Sequence, residues 1–384
     1  MDTMALLCGL IRIAVCGGEA TKEIVEACTP EALEQVYTLA LKHDLAHLAG
    51  QGASKLSLPE SEPLNRCKKA AMQAFFRYTQ QEMACQRVCD LLEQAEIPFI
   101  PLKGTVLRKY YPEGWMRTSC DMDILVREES LDRASALLQE KGWQYYGRSP
   151  HDVAFTSAEG VHLELHFTVV EDFISPESKT IMDGIWEDAK QVPGKQYRLE
   201  ISDELFYFYH MVHMAKHLIH GGCGIRTFLD VWILNHRVTA DAAKRQALLE
   251  KGKCLQFAKA AELLSEIWFS GVPMDPMSRN LEQFVLSGGT YGNLQNRVSL
   301  QQSQQGGKVR YALKRIFLPY DIMKHYYPVL QKHKVLLPFY HIARWLRLIF
   351  GGGMQRSVRE LQVNAEVSDQ TGTEAKKLID YLGL

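Results

Sequence analysis

From Met1 to about Ala95, apolar residues recur at helical spacing, as in Leu33, Val36, Tyr37, Leu39, Ala40 and Leu41 and again in Met83, Val88, Leu91 and Leu92. This predicts several helices, the last long one ending near Glu96. The period then changes. Pro98-Phe99-Ile100-Pro101-Leu102 is a short apolar run closed by Lys103-Gly104, the pattern of a buried strand entering a turn. A short helix is expected over about Thr105 to Tyr111, ended by Pro112-Glu113-Gly114. Cys120 to Val126 alternates as a second strand, and Glu128 to Lys141 reads as an amphipathic helix stopped by Gly142. Two more strands are expected near His151 to Thr156 and Val161 to Val169, joined by the Ser157-Ala158-Glu159-Gly160 turn.

After Ile201 the helical period returns over Leu205 to Ile219, Ile225 to His236, and Ala240 to Val272 with a break near Gly252. Residues 287–307 are rich in glycine and glutamine and offer little to a core, which predicts a mobile loop. Lys308 to Phe350 is basic and aromatic, divided into short helices by Pro319, Pro328 and Pro338. The expected organisation is a helical region over 1–95 packing on an α/β core over 96–200, a helical domain over 201–286, the loop over 287–307 and a helical region over 308–384.

Composition narrows the chemistry. Lys and Arg total 44 against 45 for Asp and Glu, so no global field draws the chain onto a polyanion. Nine scattered cysteines, an odd count without a C-x-x-C pair, fit reduced thiols and a cytoplasmic location. Asp2 stands where a signal peptide would carry basic residues, and no run approaches the 18 or so apolar residues that a spanning helix requires. No transmembrane segment is expected.

Asp121-Met122-Asp123 places two carboxylates at i and i+2 on a strand, on one side of it, where they can share one or two metal ions. Phosphoryl transfer requires such hard oxygen ligands for Mg²⁺, and a third carboxylate completes a two-metal site. Glu164, lying between Leu163 and Leu165 on a later strand, is the candidate, because a charge buried there is costly without a cation opposite. An isolated D-x-D is common and more often marks a solvated turn or a helix cap than a metal site. Here it follows the Lys103-Gly104-Thr105 turn, whose backbone N–H groups and lysine charge suit a phosphate.

Pro101-Leu102-Lys103-Gly104, then Arg117 with Asp121-Met122-Asp123-Ile124-Leu125-Val126, then Leu163-Glu164-Leu165-His166, together resemble the uncharacterised bacterial nucleotidyltransferase family of the DNA polymerase beta-like superfamily. The resemblance extends to Gly224-Ile225-Arg226 with Asp230, and to Ile316-Phe317-Leu318-Pro319, Tyr327-Pro328 and Leu337-Pro338. Thr105 stands where the superfamily carries a small residue. The resemblance implies an α+β fold, a small mixed sheet flanked by helices with mainly helical N- and C-terminal regions. It also implies a nucleoside triphosphate such as ATP as substrate, Mg²⁺ or Mn²⁺ as cofactor, and transfer of a nucleoside monophosphate to a hydroxyl acceptor on a small molecule, RNA or protein. Asp121 and Asp123 would bind both metals, Glu164 would bind the catalytic metal and activate the hydroxyl, and Gly104 and Thr105 would hold the triphosphate. Lys103 and Arg117 are assigned to phosphate charge on electrostatic grounds.

His210, His213, His217 and His220 fall on one face if their segment is helical. His213 and His217 have the spacing of a zinc chelate, but Met214-Ala215-Lys216 lacks the acid of an H-E-x-x-H protease. The preferred expectation is a polar face in which His213, Lys216, His217, Arg226 and Asp230 receive a base, a ribose or the acceptor. A metallohydrolase and a non-catalytic nucleotide-binding regulatory module are the competing classes. The basic, aromatic segments Lys308 to Arg315 and Arg344 to Arg347 suit RNA or a membrane surface less well than packing of their aromatics, so nucleic acid is not the favoured partner.

Overall fold

The computed structural model describes residues 1–169, 175–351 and 354–384. They form two compact units, Met1–Lys216 with Gly224–Glu282, and His217–Cys223 with Gln283–Leu384. The first unit therefore unites the N-terminal helices, the α/β core and most of the helical stretch that the sequence sets apart over 201–286.

The core is a mixed five-stranded sheet of β1 (Phe99–Pro101), β2 (Asp121–Val126), β3 (Gln144–Arg148), β4 (Asp152–Thr156) and β5 (His162–His166), in the order β1-β2-β5-β4-β3. β2 and β5 run parallel, and the other neighbouring pairs are antiparallel. This is the small mixed sheet flanked by helices that the resemblance implies. Its edge strand β3 is not expected from the sequence; Tyr145 and Tyr146 lie exposed, so no apolar alternation marks it.

Side-chain alternation gives the sheet two unlike faces. Met122, Ile124, Val126, Val153, Phe155, Leu163 and Leu165 pack against Val88 and Leu92 of the 33-residue helix Glu62–Gln94 and against Leu131, Ala134 and Leu138 of the helix Leu131–Glu140. Covering this face with two helices leaves the opposite one to Asp121, Asp123, Glu164 and His166. Gly142 and Gly160, both at positive φ, end the helix Leu131–Glu140 and turn β4 into β5.

The connection into β2 is held from four directions within the first unit. The His47 Nε2–H donates to the Met116 carbonyl at 2.9 Å. Gln81 Nε2 donates to the Ser119 carbonyl at 2.9 Å. Arg108 donates to the Arg117 carbonyl and the Ser119 hydroxyl. Arg226, at the start of the helix Ile225–Arg237, donates to the Thr118 carbonyl at 3.0 Å and pairs with Asp44.

His47 and His210 are buried, and burial is the main reason both hold pKa values below that of an ordinary histidine; Arg226 and Arg117 add to it at His47, where Asp44 opposes them. A histidine depressed in the folded state stabilises the fold fully above about pH 6.5 and loses that stabilisation as the pH falls. His47→Gln keeps an N–H for Met116 and removes the titration. It is expected to flatten the fall in unfolding free energy between pH 7 and 5, by up to about 1.4 kcal/mol per pH unit, as urea unfolding at each pH measures. A decline as steep as the parent's would contradict this.

The second unit corrects one expectation. Residues 287–307 are not a mobile loop: Leu294–Gln305 is a helix, with Asn293 capping its first turn and Gly306 in the left-handed region after its last. Val298 packs on Tyr311 and Val367, Leu300 on Ala375 and Ile379, and Gln302 donates to Asn364. Glutamine is a good helix former, and three well-placed side chains suffice to anchor a run that composition alone gives to a loop. The short helices Lys308–Ile316, Tyr320–Tyr326 and Leu337–Phe350 follow, with Pro338 in the first turn of the last rather than at a boundary.

Candidate active site

The register of β2 against β5 builds the site. Asp123 lies directly across from Glu164 and Asp121 from His162, so the three predicted carboxylates share the polar face of two adjacent strands. Asp123, Glu164 and His166 offer ligand atoms that all lie within 4.8 Å of one another. The His166 Nε2–H donates to Asp123 Oδ1 at 2.8 Å and lies 3.3 Å from Glu164 Oε2. Lys103 Nζ donates to the same Asp123 oxygen at 2.6 Å. Its backbone stands in the left-handed region at φ 47°, a strained conformation for a lysine, which the turn from β1 imposes.

The electrostatics follow from burial and crowding. Burial alone would raise Asp123; Lys103 and His166 outweigh it and hold this carboxyl far below the usual range. Asp121 has no such bonded partner among the described residues. Its pKa is pushed up to about 6, first by burial and then by the Asp123 charge, with Lys103 opposing and Glu164 adding. His166 is pushed up to about 9, because its bonds to Asp123 and Glu164 outweigh its burial, and it is therefore an imidazolium at neutral pH. Three acids thus face two cations.

Two buried polar atoms at this face have no hydrogen-bond partner among the described residues, His166 Nδ1 and the Tyr209 hydroxyl. Tyr209 comes from the helix Asp203–Ile219 and is close enough to Lys103, Asp123, Glu164 and Asp121 for their charges to act on its pKa. Three carboxylates on one face, with the Tyr209 hydroxyl oxygen beside them, suit a hard divalent cation. The residues present fit a divalent metal ion.

Gly104 and Thr105 open the short helix Lys103–Leu107 immediately after β1, beside the carboxylates. A Cβ at Gly104 would approach Ser119 Cβ to 3.3 Å, so the turn packs closely on the segment leading into β2.

Arg117 and Asp230 are placed otherwise than the sequence suggests. Arg117, expected at the phosphates, forms a buried two-pronged pair with Asp230, Nε to Oδ1 at 2.7 Å and Nη2 to Oδ2 at 2.8 Å. The Tyr111 hydroxyl donates to Asp230 Oδ1 at 2.7 Å. Arg226, expected at the substrate, is likewise committed to Asp44 and Thr118. The Gly224-Ile225-Arg226 and Asp230 pattern therefore braces the segment that enters β2.

His210 is buried, its Nε2 3.3 Å from the Thr227 carbonyl, and His213 lies against the Tyr209 ring. Among the described residues two groups of three could hold a metal ion, and neither contains a residue of the 210–220 histidine run. The second group, His151, Asp152 and His166, adjoins the carboxylates on β4. Sequence reasoning missed His166, Tyr209 and this neighbouring group. His166 lies two residues past Glu164 on the same strand, and that spacing alone could have identified it.

Among the described residues, no helix is long and apolar enough to cross a membrane. A family model described as an uncharacterised nucleotidyltransferase matches residues 29–270, which takes in the sheet, the site and the bracing helices. No curated protein and no solved structure matches the chain.

Proposed function

The chain belongs to this uncharacterised nucleotidyltransferase family, and we propose that it transfers a nucleoside monophosphate from a nucleoside triphosphate to a hydroxyl acceptor, releasing pyrophosphate. The observation that carries this reading is the β2–β5 register, which sets Asp123 opposite Glu164 with Asp121 on the same face and Lys103 against it. Asp121, Asp123 and Glu164 would hold Mg²⁺ or Mn²⁺. When bound, the cation would neutralise charge at the reacting phosphate and ease deprotonation of the acceptor.

The chain's own groups account for the remaining steps. Glu164, about one third exposed, accepts the acceptor's proton as that oxygen bonds to the α-phosphorus and the bond to pyrophosphate breaks. Lys103 is anchored on Asp123 and carries charge toward the phosphates. The backbone at Gly104 and Thr105 lies beside them. His166 orients Asp123 and Glu164, and the braced entry to β2 fixes where the carboxylates stand.

Incubation with α-labelled nucleoside triphosphates, Mg²⁺ and a cell extract tests the proposal and identifies the class of acceptor. Label is expected to pass to one molecular class and to stay on nucleotide when EDTA is added. A thermal shift with triphosphate that ignores the metal, without transfer of label, would instead favour a non-catalytic binding module.

A further inference from the structure

Lys308 to Gly351 carries nine lysines and arginines and one acid, Asp321, within a chain whose overall charges balance. The same stretch exposes large apolar side chains. On the 14-residue helix Leu337–Phe350, Phe339, Ile342, Leu346, Ile349 and Phe350 are exposed, Phe339 at 69% and Phe350 at 85%. They stand at i, i+3, i+7, i+10 and i+11, within one arc of the helix. Arg347 borders that arc and is itself exposed. The opposite side is occupied: His341 is buried against Phe317, Trp345 packs on the same ring and donates to the Ile316 carbonyl, and Arg344 donates to the carbonyls of Arg315 and Ile316. The exposed arc is therefore a second apolar face on a helix already anchored by its first. Val309, Leu313 and Ile316, at i, i+4 and i+7 on the helix Lys308–Ile316, repeat the pattern beside Arg310 and Lys314.

We propose that the apolar face of Leu337–Phe350, with the basic residues around it, docks the protein on an anionic lipid membrane. Fourteen residues rise about 21 Å, short of the roughly 30 Å hydrocarbon core, so the helix lies in the interface rather than spanning it. Apolar side chains bordered by Lys and Arg are what such a surface binds. The charge argues against a second copy of the chain, since two such segments would repel. RNA is disfavoured because most of the exposed side chains are aliphatic, while Trp345 and Tyr327 engage neighbouring rings.

Sedimentation of the full chain with liposomes at about 0.15 M salt tests the proposal. Binding is expected to mixed phosphatidylglycerol and phosphatidylcholine liposomes and not to phosphatidylcholine alone. The Ile342→Glu/Ile349→Glu variant should keep the parent's thermal midpoint, because both side chains are exposed, and lose at least tenfold in partitioning. Arg310→Gln/Arg347→Gln leaves the apolar face intact and should lose roughly twenty-five-fold, at about fivefold per charge near the surface. Equal binding to both liposomes, or none to either, overturns the proposal. So does self-association without lipid binding that Ile342→Glu/Ile349→Glu abolishes, or retention of RNA by a chain that ignores liposomes.

Discussion

Asp123→Asn is expected to lower nucleotide transfer by about a thousandfold or more, because it removes the carboxylate charge on which the whole polar face converges. Several kcal/mol of charge stabilisation at the reacting phosphate depends on such ligands, and each 1.4 kcal/mol is about tenfold in rate. The same substitution should also cost stability. Lys103 and His166 both donate to Asp123 Oδ1, and an amide weakens both charge-assisted hydrogen bonds, a loss of about 1.5–3 kcal/mol. Glu164→Gln separates the two effects. Its side chain is about one third exposed and makes no bond to Lys103, so transfer should fall comparably while the thermal midpoint stays near the parent's. Label transfer from α-labelled triphosphate, measured beside thermal unfolding, reads both. Undiminished transfer by either variant would remove these carboxylates from the reaction.

The parts of this site that could be read in the sequence are those with a local pattern. Asp121-Met122-Asp123 alternates with the apolar positions that fix its strand, and Glu164 is marked by the leucines on either side, so burial on one sheet face puts all three acids on the other. His166 continues the same alternation. Tyr209 carried no signal, because it lies in the helical run Leu205-Phe206-Tyr207-Phe208-Tyr209, where every position looks like core. The pairing of Arg117 with Asp230 spans 113 residues, and the Arg226 pair with Asp44 spans 182. Without that tertiary information, an arginine near a D-x-D is most naturally given to phosphate. The stretch over 287–307 failed for another reason. Its caps, Asn293 and Gly306, stand in the sequence, but composition rich in glycine and glutamine masks the position at which each acts.

Removal of the Asp230 charge gives the largest stability effect expected in the chain. Arg117 and Asp230 are both buried and meet through two hydrogen bonds, and Tyr111 adds a third to the same carboxylate. Asp230 holds the guanidinium of Arg117 charged against the cost of its burial, so Asp230→Ala strands a cation and a phenol hydroxyl together. Breaking such a pair from one side costs about 3–5 kcal/mol. Replacing both ends, as in Arg117→Met/Asp230→Leu, removes the stranded charge and should recover much of that loss, which a double-mutant cycle by urea unfolding measures directly. The activity readout distinguishes a brace from a phosphate ligand. If Arg117 acts only through the entry to β2, the double variant should bind triphosphate with near-parental affinity once folded. A loss of triphosphate affinity that persists in the stable double variant would return Arg117 to the phosphates, and an unchanged midpoint for Asp230→Ala would show that the buried pair does not hold the fold.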